Sequence, residues 1–166
     1  MAYYASLVAE WATITTANPT YTTAQKLAAI NALTVPGPTI DVQASTVLGY
    51  MMLNMKLGVL QAYATTPPNG SSANIIALVR ELLVTFTYPA FDTFETSNVV
   101  TYSAVNTMLE AMASDTNTGI TSTDVSNIMG LAQTSLPWWA ATVAQGGGGL
   151  TSPVGDPDLE SAGNLS

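Results

Sequence analysis

The chain has 166 residues, enough for one compact domain, and carries a formal charge of −8 with 8% charged and 48% apolar residues. Ordinary soluble domains are about 25% charged. This composition therefore excludes charge-driven disorder and leaves a surface of Thr, Ser, Asn and Ala that suits burial against partners or copies of the same chain.

Lys26, Lys56 and Arg80 are the only cations, too few to neutralise a phosphate backbone or to dock on anionic lipid. There is no Cys and no His, which removes disulfides, thiolate chemistry and the commonest metal ligand.

The opening run MAYYASLVAEWATITT has no basic segment and is interrupted by Glu10, so it does not read as a secretory signal. Tyr4, Leu7, Val8, Trp11 and Ile14 follow a three-four spacing and predict a first helix, broken at Asn18-Pro19. TTAQ at Thr22–Gln25 has capping-box form and opens a short helix carrying Leu27, Ile30 and Leu33. TVPGP at Thr34–Pro38 stops it, because neither proline can donate a backbone hydrogen bond.

Asp41 is placed to cap a long third helix that ends before Pro67. Its apolar residues go nearly all the way round the axis, as in a central helix or one buried in an oligomer. The run Val47–Ala64 approaches the length of a membrane span, but Asn54 and Lys56 near its middle favour a buried helix instead. Met51, Met52 and Met55 form either core filling, the commoner use of methionine, or a soft partner surface.

TPPNGSS at Thr66–Ser72 is a turn leading to a helix with Ile75, Leu78, Val79, Leu82, Leu83 and Phe86, ended by Tyr88-Pro89. A looser segment, AFDTFETSN, precedes a fifth helix with Val99, Tyr102, Val105, Leu109 and Met112. The last clear helix carries Val125, Ile128, Met129, Ala132 and Leu136, with Pro137 kinking it or starting a turn that contains Trp138 and Trp139. GGGG after Gln145 reads as a flexible hinge. In the acidic remainder, Leu150, Val154, Leu159 and Leu165 are apolar beads, either left in a disordered terminus or docked on a neighbour. The expected fold is all-α: a compact bundle of about six helices over residues 1–145, then a hinge and a flexible or extended C-terminal tail over 146–166.

SDTNTGITSTDVSNIM, Ser114–Met129, has the first beats of a calcium loop. Counting from Asp115, Asn117 suits position three, but Gly119, Ile120 and Ser126 fall where the loop needs an oxygen ligand, its glycine and its final Glu. The stretch reads better as a helix stop at Gly119 and a new cap at Thr121, with Asp124 at the third helical position. Asp92 with Glu95 could form an acid-base pair only if one were buried, and Asp156, Asp158 and Glu160 lie in the tail; none has a cation nearby in sequence to tune it. No catalytic residue, metal or cofactor is expected. The two tryptophans suit core or interface packing better than ligand stacking, since neighbours on a helix point about 100° apart. The interface candidates are Met51, Met52, Met55, Trp138, Trp139, Leu150, Val154, Leu159 and Leu165.

TTAQKLAAINALTV at Thr22–Val35, DTNTGIT and LPWW give the chain, up to about Ala144, a look that resembles the small helical virion-associated proteins of tailed bacteriophages. That resemblance implies a non-enzymatic structural subunit of the tail, baseplate or head decoration. It would be assembled in the host cytoplasm from several copies, with other virion proteins and copies of itself as partners and without nucleic acid or membrane. It brings no functional residues. Two other classes stay open on the residues alone: a soluble helical adaptor for one host or phage protein, and a small enzyme using Asp92 and Glu95.

Overall fold

The structure is a computed structural model and describes residues 2–87 and 92–163. The expected helix stop at Tyr88-Pro89 and the candidate Leu165 lie outside those residues. Helix dominates, but the fold is not purely all-α: eight α-helices and two short two-stranded pairings occur among the described residues. The chain divides into two units, one of Met1–Gly37 with Thr134–Ser166 and one of Pro38–Gln133, each with its own core.

In the first unit, α1 (Ala2–Ala17) places Leu7, Trp11 and Ile14 in the core at the expected spacing. α2 (Thr23–Ala32) opens on the capping box read from TTAQ: the Gln25 amide donates to Thr22 Oγ1 at 3.3 Å and the Thr22 amide donates to Gln25 Oε1 at 2.9 Å. The prolines do end this helix, but TVPGP is not a mere stop. It becomes strand β1 (Thr34–Thr39), paired with the strand Gln133–Pro137. A two-stranded ribbon is all edge, so prolines can sit where no ladder donor is required.

The expected hinge and extended tail are corrected by the same unit. Gly147 and Gly148 are buried, the Gly148 amide donates to the Trp138 carbonyl at 2.7 Å, and the Gly149 amide donates to that of Ala141 at 2.7 Å. A Cβ at Gly148 would stand 2.7 Å from the Trp138 ring. Gly148 thus lets the backbone approach the Trp138 ring, and Gly147 lets it approach Ala141. Beyond them, Asn31 clamps Val154 from both sides, donating to its carbonyl at 3.0 Å and accepting from its amide at 2.8 Å. A short C-terminal helix (Asp156–Ser161) then buries Leu159 beside Val154, Trp138 and Ile30.

In the second unit, β2 (Val42–Gln43) runs antiparallel to β3 (Thr93–Phe94) in the register Val42↔Phe94 and Gln43↔Thr93. Asp41 does not cap the next helix, whose N-cap Gln43 makes no side-chain cap; its carboxylate instead accepts from the Ser97 amide at 2.9 Å. The single long helix expected from Asp41 to Pro67 is two: α3 (Ala44–Leu53) and α4 (Lys56–Thr65), separated by Asn54 and a left-handed Met55 at φ 57°. The Asn54 amide side chain donates to the Tyr50 carbonyl at 2.9 Å, a local bond that competes with helix continuation.

α5 (Ala73–Thr87) and α6 (Val99–Ala113) match the expected fourth and fifth helices, and Asn98 caps α6 by accepting from the Val100 amide at 2.9 Å. α7 (Ser122–Leu131) is shorter than its apolar pattern suggested. Gly130 weakens its last turn, and the residue before Pro137 is biased towards extended backbone, so Gln133–Pro137 becomes the strand paired with β1. α3 touches α4, α5 and α7, and Met51, Leu60, Tyr63, Leu82, Leu109 and Met112 are among the buried residues of this core.

Candidate functional site

The α3–α4 corner combines an exposed apolar tip with a polar cluster beneath it. The left-handed Met55 turns the chain so that Met52, Leu53 and Met55 stand in solvent, 60%, 86% and 82% exposed, while Met51 is buried. Ordinary helical phase would not present Leu53 and Met55 together as a projecting tip. Below, Lys56 Nζ lies 2.9 Å from Asp124 Oδ2 and donates to the Gly119 carbonyl at 2.9 Å. The Tyr50 hydroxyl donates to Asp124 Oδ1 at 2.8 Å and accepts from the Asn127 side-chain amide at 3.1 Å. Asp124 also accepts from the Thr121 amide at 2.8 Å and from its hydroxyl at 2.7 Å, which completes the capping box read in the sequence.

Burial by itself would raise the Asp124 pKa, but the bonds from Thr121, Lys56 and Tyr50 outweigh it and hold the carboxyl at about 2. Every oxygen of this group is engaged, so it anchors the corner and offers no free base. Sequence reading missed the cluster. The available signal was Lys56, a cation set in an apolar helical run, which demands a buried or half-buried acceptor.

The neighbouring loop is a turn. Asp115 accepts from the Asn117 amide at 2.9 Å and from its side-chain amide at 2.9 Å, and Gly119 at φ 71° closes the 3-10 turn Thr116–Thr118; the α-helix itself stops earlier than expected, at Ala113. The Tyr63 hydroxyl donates to Asp115 Oδ2 at 2.7 Å, which with the Asn117 bonds holds the Asp115 carboxyl below the usual carboxylate range. Burial, reinforced by Asp115 and opposed by Ser71, pushes the Tyr63 hydroxyl up. Among the described residues, no group of three or more His, Cys, Asp or Glu is placed to hold a metal ion.

A second surface runs along α6. Val99 and Val100 are 79% and 78% exposed, and they open an apolar groove of about 660 Å³ bordered by Leu78, Ala104, Met108 and Ala111. Beside it, Asp41, Glu81, Asp92 and Glu95 rim an open depression that shares Met108 as a wall. Asp92 and Glu95 are both exposed, so the burial that an acid-base pair needs is absent from both.

The other interface candidates divide. Trp138, Val154 and Leu159 are core residues of the first unit, while Trp139 and Leu150 are half-buried against that core. Only Met52 and Met55 among the described candidates stand free in solvent; Leu53 and Val100 do so as well, and so does Val99, which the spacing had placed on the apolar face of the fifth helix. Among the described residues no helix is long and apolar enough to cross a membrane. No protein-family model matches the chain, and comparison with curated proteins and with solved structures finds no match either.

Proposed function

We propose that the protein is a non-enzymatic structural subunit of a tailed-bacteriophage particle, in the tail or baseplate region or decorating the head. It acts through protein–protein contacts with other particle proteins and with copies of itself. The observation that carries this reading is the apolar tip at the α3–α4 corner: Met52, Leu53 and Met55 held in solvent above an ion-paired anchor. An apolar projection on a charge-poor surface favours occupancy by a partner. The sequence resemblance supplies the particle.

Mass spectrometry of purified particles should find the chain at stoichiometric copy number; its absence would overturn the reading. Replacing the exposed pair by Met52→Ser and Leu53→Ser should leave the circular dichroism unchanged and lower incorporation severalfold, the range expected for losing two apolar anchors.

A helical adaptor that never enters the particle is the second reading, supported by the groove on α6. Sedimentation of the purified chain together with particle analysis separates the two, since an adaptor sediments as a monomer and is missing from particles.

A further inference from the structure

We infer that the α6 face of the second unit is the docking groove for a basic amphipathic helix of a different protein. This rests on the reading of the chain as an interaction subunit, but names the chemistry of the partner, which that reading leaves open.

The groove follows one helix face. Val100, Ala104, Met108 and Ala111 recur at helical spacing and, with Leu78 of α5, line it. From Val100 to Ala111 this face runs about 16 Å, three turns of helix. Ser103, Ala104, Thr107 and Ala111 are small, so another helix backbone can approach closely, ridge against groove. Among the described residues no charged side chain lines it.

The depression that shares Met108 supplies the other half of the match. Its rim carries Asp41, Glu81, Asp92 and Glu95, all exposed, and none has a cationic partner among the described residues. An apolar stripe bordered by carboxylates on one side complements a helix with an apolar face and Lys or Arg on one flank.

The chain cannot supply that helix itself. Lys56 is paired with Asp124, Arg80 donates to the Ala64 carbonyl at 2.9 and 3.1 Å, and Lys26 lies 5.6 Å from the centre of the Trp11 ring. Three committed cations give no basic flank, and two copies at −8 each repel at an acidic rim. A heterologous partner is therefore the occupant.

The probe is a synthetic amphipathic helix of about 18 residues with Leu on one face and Lys on its flank, titrated into the full chain and followed by fluorescence anisotropy. A control peptide keeps the composition and scrambles the order. The expected result is saturable binding of the first peptide and none of the second. Ala104→Arg, at an exposed position in the groove, abolishes binding. Glu81→Gln with Asp92→Asn weakens it about tenfold and flattens its salt dependence. Glu10→Gln and Glu160→Gln, in the other unit, change nothing.

Equal binding of the scrambled peptide, or full binding by Ala104→Arg, overturns the assignment. So does sedimentation showing that Ala104→Arg dissociates an oligomer of the chain, because the groove then belongs to a second copy. Failure of the peptide to bind likewise overturns the assignment while leaving the particle test intact, and absence of the protein from particles leaves this test intact.

Discussion

Asp124 concentrates more bonding than any other side chain at the corner: it closes the α7 capping box, pairs with Lys56 and accepts from Tyr50. Its folded pKa of about 2 lies below the ordinary carboxylate value of about 3.9. A depressed carboxyl adds stability that is fully present above the unfolded value and is lost as pH falls through the folded one. Asp124 therefore contributes on the order of 2 kcal/mol near neutrality, fading between about pH 5 and pH 1. Asp124→Asn should lower the urea midpoint at pH 7 and flatten the pH dependence over that acid range. An unchanged acid profile would show that the group is not the anchor described. Met55 makes the opposite kind of test. At φ 57° a non-glycine residue costs about 1–2 kcal/mol, so Met55→Gly should hold or raise the urea midpoint, whereas glycine inside a regular helix would lower it. The cap at Thr121 and the left-handed turn at Gly119 were legible because they depend on bonds within a few residues. The Lys56–Asp124 pair was not, since 68 positions separate its members, 124 minus 56, and only the fold brings them together.

Among the elements, α1, α2, α5 and α6 were readable from the spacing of their apolar residues, and α2 and α6 also from the local caps at Thr22 and Asn98. The α3–α4 run was misread for a physical reason: apolar residues all round an axis describe one buried helix and also a broken pair with different faces inside. Met51 took the core, and Met52 and Met55 took the tip. The glycine run was misread in the other direction. Glycine signals flexibility from sequence alone, yet here it permits close approach to an aromatic ring. Gly148→Ala should drive its Cβ into the Trp138 ring and destabilise the first unit by about 1–3 kcal/mol. Hydrogen exchange should show the added opening in α1, α2 and the C-terminal helix. A true hinge would tolerate the alanine without any such change.

At the scale of the molecule, the two cores share no residue, and the first is assembled from both ends of the chain around an insertion of Pro38–Gln133. During synthesis this sets an order of events. Leu7, Trp11, Ile14 and Ile30 leave the ribosome long before Trp138, Val154 and Leu159, the residues that cover them. At about 5–20 residues per second the interval from Gly37 to Thr134 is about 5–20 s, during which the inserted unit is completed while the apolar faces of α1 and α2 remain uncovered. Until Thr134–Ser166 has emerged, the apolar residues of α1 and α2 lack that cover and are open to the action of holding chaperones.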